Sequence, residues 1–313
     1  MLRLGLVAAM ALWTADGQAQ LPAPEPVTLK FCWAPGLKAQ VTTSSFRTQT
    51  GAPDRRSTFR YTLSVVQQDP HLRIRSDDPV ADLSSAGQQV SAELQSRVDD
   101  QLEQMLPDFL VTPDGKLVGL ADFPAYQARL RAMIGQRVPK GVDAATAEKA
   151  IAAATTEAVL NTRLAQQWQI LVGAWNGGTL PVGVEQKRQS KVGPADKPGL
   201  VVNHTFAATK RLPCQRGGTE RQCVELDLRS TPDPAGVNAR VGQIAAALGR
   251  KLTPTSRPKA AAIEERVQLV AEIECLVPHS FVRTHAQALV LNHGDREETV
   301  KRVERSVVTY AYE

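Results

Sequence analysis

The chain has 313 residues, 42% of them hydrophobic, and a formal net charge of +5 at pH 7. A chain of this length can bury a sizeable core as one large domain or two small ones. Its basic residues are scattered in pairs, and the absence of a continuous basic stripe argues against a nucleic-acid partner. We interpret each pair as a solvated strand or turn face: Arg55-Arg56, Lys187-Arg188, Lys210-Arg211 and Lys301-Arg302.

The N-terminus has the pattern of a secretory signal. Arg3 is followed by an apolar run over residues 4–13 and by small residues that end at Ala19. This run is shorter than the ~20 apolar residues that cross a bilayer, and no later stretch is long enough. A buried N-terminal helix is the alternative, but three prolines follow at once: Pro22, Pro24 and Pro26. We therefore predict a signal peptide over residues 1–19 and a periplasmic or secreted protein that does not span a membrane.

Alternating apolar and polar residues predict strands in the first part of the mature chain. The alternation covers residues 27–33, 59–65 and 72–75. Each segment has one apolar face and one polar face, as strands of antiparallel sheets do.

A block with helical spacing follows the first strands. Apolar residues recur every three or four positions over residues 94–106, over residues 123–134 and over a long third helix from about Ala144 to Trp175. Residues 109–120 interrupt the block with a predicted hairpin whose turn is Pro113-Asp114-Gly115.

Strands then return. A hairpin is predicted around residues 214–223, a helix near residues 235–248, and closing strands at about 265–277, 280–291 and 298–312. Strands, helices and strands in this order, without strand–helix–strand alternation, predict an α+β fold in which a helical insertion separates the two parts of an antiparallel sheet. No Gly/Ser linker or internal repeat divides the chain, so we predict that residues 20–313 form a single domain.

Four cysteines in an exported chain favour disulfide bonds. Cys214 and Cys223 are separated by eight residues, a spacing that fits neither the usual metal-binding pairs nor a C-x-x-C redox centre. Since two predicted strands flank them, we predict a bond across the hairpin. The remaining pair, Cys32 with Cys275, would place the strand that carries Cys32 beside the strand that carries Cys275.

No motif compels a catalytic or metal-dependent function. Ser256 to Lys259 match S-x-x-K, but the motif contains Pro258 and is expected in a loop, where the two side chains share no helix face. His279 and His285 could share a strand face, yet no carboxylate lies at a spacing that completes a ligand set. We predict no catalytic residue, no metal and no cofactor, although a triad assembled from distant residues stays open.

The predicted long helix carries an aromatic and aliphatic stripe that could line a hydrophobic cavity beneath it. The alternative is that the stripe is the core face of the helix. Its residues are Leu164, Trp168, Leu171 and Trp175.

The order of elements resembles that of periplasmic lipoprotein carriers of the LolA/LolB type and related secreted bacterial domains. The segments that carry this resemblance are VTPDGKLVGL at 111–120, TLPVGVEQ at 179–186 and EIECLVPHSF at 272–281. The resemblance implies a curved, half-barrel-like sheet that binds a lipid or a lipoprotein acyl chain between sheet and helices. The alternatives are an envelope protein that binds protein partners through its surface around a fully packed core and, third, a secreted hydrolase.

Overall fold

The computed structural model describes residues 25–83, 91–138, 141–192, 199–238, 241–242, 245, 256–293 and 296–313. The predicted signal peptide lies outside the described residues. The described part of the chain forms thirteen strands: β1 Pro26–Thr28, β2 Lys38–Gln49, β3 Ala52–Gln68, β4 His71–Asp82, β5 Phe109–Val111, β6 Leu117–Leu120, β7 Thr179–Pro181, β8 Gln186–Val192, β9 Leu200–Arg216, β10 Thr219–Pro232, β11 Ser256–Glu272, β12 Pro278–His293 and β13 Arg296–Tyr312.

Eleven of these strands form one open antiparallel sheet. Its order is β6-β5-β4-β3-β2-β13-β12-β11-β10-β9-β8, so two meanders meet where β2 pairs with β13. The register of this joint runs from Ala39 opposite Tyr312 to Gln49 opposite Arg302. β1 and β7 form a separate two-stranded sheet.

Along the sequence, three of the five described helices follow β6 and precede β7, between the two meanders. The other two are α1, which precedes β5, and α5, which precedes β11. The helix bounds are α1 Ala92–Met105, α2 Phe123–Gly135, α3 Ala144–Ala154, α4 Glu157–Trp168 and α5 Pro234–Asn238, with a π-helical turn at Gln169–Gly173. The α+β class and the helical insertion are thereby confirmed.

The long helix predicted over residues 144–175 is in fact interrupted. The hydroxyl of Thr155 donates to the Ile151 carbonyl 2.8 Å away, so α3 ends on a side-chain bond to its own last turn. The hydroxyl of Thr156 then accepts from the backbone N–H of Val159 at 3.4 Å, as an N-cap does. Two consecutive threonines therefore end one helix and begin the next.

The strand predicted over residues 27–33 is regular only in β1. Residues 29–33 keep alternating burial, but they do not join the large sheet. Leu29 instead exchanges backbone hydrogen bonds with Gly177 and Gly178, and the Phe31 N–H donates to Asn176 Oδ1 at 2.9 Å. The alternation predicted an extended, half-buried segment correctly, but its partner is the loop after the π-helical turn.

The main hydrophobic core lies on one face of the sheet, which we call the core face and define by the buried Val41, Leu226 and Leu269. The extended N-terminal segment and the stretch from the end of α4 through the π-helical turn to Trp175 pack onto it. The largest buried side chains that they contribute are Phe31, Trp33, Trp168 and Trp175. A second, smaller cluster contains Val237, Ala245, Leu289, Leu291 and Val300.

Side chains of α1 and of the segment after it satisfy backbone groups of β4. Asp99 accepts from the Ala81 N–H at 2.6 Å, and Gln95 donates to the Ala81 carbonyl at 2.7 Å. Asp108 accepts from the Ser76 N–H at 3.3 Å. Bonds of this kind occupy groups that an open strand edge would offer to another chain.

Both predicted disulfides are present. Cys32 and Cys275 have their Cα atoms 4.7 Å apart, and those of Cys214 and Cys223 are 5.8 Å apart. The expected neighbourhood of Cys32 and Cys275 is correct, but Cys32 lies in the irregular extended segment and Cys275 in the turn after β11. Cys214 faces Arg221 in the register, so the hairpin bond is diagonal. Two disulfides indicate an oxidising, extracellular-type environment.

The closing strands are confirmed as β11, β12 and β13. The S-x-x-K segment, expected in a loop, lies instead at the start of β11, which begins at Ser256. Of the helix expected near residues 235–248, the structure describes α5 and a few residues beyond it, and the rest lies outside the described residues. Among the described helices, none has the length and hydropathy of a membrane span.

Replacing Cys32 and Cys275 together with Ala is expected to lower the free energy of unfolding by up to about 5 kcal/mol, because this bond joins residues 243 apart. The matched variant Cys214→Ala/Cys223→Ala opens a loop of separation 9 and should lose about 3 kcal/mol. Urea denaturation compares the two. An equal or smaller loss for the Cys32/Cys275 variant would contradict the loop-closure argument.

Candidate ligand-binding groove

Three of the four residues predicted to line a cavity are buried, namely Leu164, Trp168 and Trp175, and Leu171 is partly buried against the main core. The Trp168 indole N–H donates to the Gly115 carbonyl at 2.8 Å. Its ring also lies 5.5–5.7 Å from the rings of Phe31, Trp33 and Phe109. Trp168 is thus packed by aromatic neighbours, and a role of these four residues in ligand contact stays a prediction.

Part of the core face carries large side chains that are only half-buried. They lie on β3, β12 and β13, at the centre of the sheet, and we call them the apolar shelf: Phe59, Tyr61, Phe281, Val308 and Tyr310. Phe59 stacks on Tyr61 with centroids 6.0 Å apart. Burial raises the pKa of Tyr61 to about 12 and that of Tyr310 well above its usual value, so both phenols are neutral.

A row of three serines adjoins the apolar shelf. Ser57 pairs with Ser45, and Ser45 pairs with Ser306, so the three lie side by side on β3, β2 and β13. The hydroxyls of Ser45 and Ser306 are 3.5 Å apart. Such small side chains leave a depression in the sheet surface, and a cavity of about 460 Å³ is found here. It is lined by Ser45, Phe46, Arg47, Arg55, Arg56, Ser57, Glu304, Arg305 and Ser306.

The next row on the same face is polar across eight adjacent strands, from β3 to β8. Direct register partners define this polar row: Arg55, Arg47, Glu304, His285, Glu265, Ser230, His204 and Arg188. Because side chains alternate along a strand, the row lies between the main core and the second cluster on one face. Val300 and Leu289, which pair with each other in that second cluster, lie four residues beyond Glu304 and His285.

Ion pairs neutralise part of this region. Arg283 on β12 pairs with Ser306 of the serine row and donates to Glu265 at 2.7 Å. Glu304 is bound by Arg302 and lies 3.8 Å from the Nε of Arg47. Arg55 has no ion-pair partner among the residues that the structure describes.

Two histidines in the polar row are held neutral. His204 lies between the hydroxyls of Ser190 and Ser230, each 2.8 Å from a ring nitrogen. The Nε2 atom of His285 lies 3.0 Å from the Gln287 amide, and its Nδ1 is buried without a hydrogen-bond partner in the described part of the chain. Burial is the largest cause and lowers the pKa of both imidazoles below 6.5; nearby arginines lower it further, and Glu265 opposes the shift at both histidines.

A second polar cluster lies at the β9–β10 hairpin. Glu272 is buried between Arg216, at 3.2 Å, and His279, at 3.3 Å. The sulfurs of Cys214 and Cys223 lie within 4.8 Å of a His279 ring nitrogen, the arrangement of a metal site. Since metals bind thiolates and these sulfurs form a disulfide, the cluster functions as a structural ion pair beside that bond.

Neither protein-family models nor curated protein sequences match this chain. The apolar shelf, the serine row and the polar row together form the groove, and its function must be inferred from these residues.

Sequence patterns indicated little of this groove. Arg55 and Arg56 are both exposed, as the sequence predicts, but neighbours on a strand point to opposite faces, so the two do not share one face. Arg56 lies over the Phe46 ring at 5.0 Å on the outer face, whereas Arg55 faces Arg47 on the core face. Strand alternation alone predicts that the two arginines lie on opposite faces. The row of three serines could not be predicted in this way, because it forms only when β2 pairs with β13.

Leu164→Ala is expected to lower the free energy of unfolding by about 2–5 kcal/mol, because it removes a buried side chain from a packed site. Leu94→Ala in α1 is the matched control and should cost roughly 0.5 kcal/mol or less, since Leu94 is 46% exposed and Leu164 only 6%. Chemical denaturation measures both. A small cost for Leu164→Ala would show that space beside it already exists, as the ligand-lining prediction requires.

Stability is expected to fall on acidification because of His204 and His285. Their pKa values are lowered on folding, so below about pH 6.5 the unfolded chain binds protons that the folded chain does not. The contribution is fully present above that pH and is lost as the pH falls towards the folded pKa values. The double variant His204→Gln/His285→Gln should lose less stability than the unmodified protein between about pH 7.5 and about pH 5.5. Chemical denaturation at the two pH values measures this. If the variant and the unmodified protein lose the same free energy of unfolding between them, the prediction is wrong.

Proposed function

We propose that this protein is an exported, non-enzymatic binding protein that holds the apolar chain of an amphiphile on the open part of its core face. The observation that carries the proposal is the apolar shelf, whose Phe59 and Val308 lie two residues from Ser57 and Ser306 of the 460 Å³ cavity. Ligand sites commonly have about 300–1,000 Å³ and combine apolar walls with a few polar groups. The cavity has that size and a mostly polar lining, and the shelf beside it supplies the apolar wall.

The position of the helices supports binding on the shelf. The aromatic packing around Trp168 fills the space beneath α4, whereas Phe59, Phe281 and Val308 remain half-buried. An apolar chain lying over them would remove their exposed surface from water, at about 25 cal/mol per Å². Periplasmic location after signal cleavage belongs to this proposal, as does kinship with carriers of the LolA/LolB type.

A second candidate is an envelope protein that works through its surface around a fully packed core. The burial of Trp168 and Trp175 favours it, because the stripe first considered as a cavity lining lies within the main core. In that case the apolar shelf would bind a protein instead of a lipid.

Native mass spectrometry of the protein purified from the periplasm distinguishes the candidates. A co-purifying amphiphile supports the carrier. Repeated absence of one, together with no uptake in solution of the methyl ester of cis-parinaric acid, would exclude it. This ester is neutral and becomes fluorescent when its chain is shielded from water.

Phe59→Ser is expected to weaken binding of the methyl ester at least about fivefold, because it removes a shelf side chain worth roughly 1 kcal/mol or more of contact. Phe123→Ser is the matched control, since Phe123 is a partly buried phenylalanine at the start of α2 and belongs to neither the shelf nor the cavity lining. Fluorescence titration of the two variants measures the difference. Equal weakening by both would place the ligand elsewhere.

A further inference from the structure

The cavity beside the apolar shelf carries a net positive charge. Its core-face lining contains Arg47, Arg55 and Glu304, a formal charge of +1, because Arg56 and Arg305 belong to the outer-face row of Phe46. Arginine remains protonated at any physiological pH. A ligand that leaves this charge uncompensated would have to desolvate guanidinium groups without replacing their hydrogen bonds.

We infer that the amphiphile bound on the shelf carries an anionic head group, which Arg47 and Arg55 bind above the serine row. This inference rests on the proposed function and adds the chemistry of the head. A carboxylate and a phosphate share the required features, namely negative charge and oxygen acceptors that match the guanidinium fork.

The pairing of the two arginines is the first argument. Arg47 and Arg55 are direct partners across β2 and β3, and like charges in such a pair destabilise a sheet. Their compensation within the protein is partial. Arg47 donates to Gln49 at 2.9 Å and lies 3.8 Å from Glu304, which Arg302 already binds. An anion between the two guanidinium groups would turn this repulsion into two attractive contacts.

The order of side chains along each strand is the second argument. On β3 the core face presents Phe59, then Ser57, then Arg55, and on β13 it presents Val308, then Ser306, then Glu304. At about 3.3 Å per residue, the four residues from Phe59 to Arg55 span about 13 Å. Along β3 the groove thus changes from apolar to small to cationic over a distance that suits an acyl chain and its head.

The serines provide the third argument. Their small side chains keep the groove open below the arginines, and their hydroxyls can donate hydrogen bonds to head-group oxygens. Ser45 and Ser306 are close enough, at 3.5 Å between hydroxyl oxygens, to contact one head group together.

Fluorescence titration with cis-parinaric acid and with its methyl ester tests the inference, because the two probes differ only in the head. The unmodified protein should bind the acid at least about tenfold more tightly than the ester at low ionic strength. Arg55→Gln and Arg47→Gln should each remove most of this preference, measured as the ratio of acid to ester affinity in the same variant. Arg60→Gln is the matched control. It removes the same charge from an exposed residue of the same strand that faces the outer side and does not line the cavity, and it should keep most of the preference.

Displacement of the bound acid separates the possible head groups. Palmitate and lysophosphatidate, which carry a carboxylate and a phosphate, are compared with neutral 1-hexadecanol. Stronger displacement by either anion than by the alcohol supports the inference and identifies the head. Equal affinity for acid and ester, or equal effects of Arg55→Gln and Arg60→Gln, would overturn it while leaving the proposed function intact. Failure to bind the acid, the ester and the alcohol at all would instead remove the proposed function.

Discussion

The pairing of β2 with β13 is the constraint on which the rest of this structure depends. It joins the N-terminal and C-terminal meanders into one sheet, and it closes a loop that contains nearly all of the described chain. Loop closure of this length is costly in entropy, although the cost grows only slowly with length. The Cys32–Cys275 bond links the extended segment that precedes β2 covalently to the turn between β11 and β12. The cavity lies on this joint, with Arg47 on one strand and Glu304 on the other.

Local patterns predicted most of the elements because each strand and each hairpin encodes its own alternation. The hairpin over residues 109–120, the hairpin around Cys214 and Cys223, and the closing strands were all predicted this way. Predictions failed where a pattern gave the right type of element but extended it past its true end. Helical spacing continues through Thr155 and Thr156, yet their hydroxyls end one helix and cap the next. A Thr–Thr pair before a glutamate was an available signal of that boundary.

The groove could not be predicted in the same way, because it exists only between strands that are remote in sequence. Ser57, Ser45 and Ser306 are ordinary residues in three separate strands, and only the register of β3, β2 and β13 brings them together. Conversely, the conspicuous tryptophans of the helical block, Trp168 and Trp175, lie within the main core. Large apolar residues at helical spacing indicate that a helix face is buried, but they do not indicate whether protein or a ligand covers it.

The polar row also limits how this sequence can change over evolutionary time. A shift of one residue within a strand turns every side chain beyond it to the opposite face. In β2 such an insertion would exchange Arg47 with Phe46 and would misalign the groove with its neighbours on β3 and β13. Substitutions can accumulate within the eight strands of the row, but a single insertion or deletion there keeps the row aligned only if a bulge absorbs it, like the one between Arg47 and Gln49. Descendants of this chain should therefore vary in length at their connections and keep a constant count of residues between the shelf and the arginines.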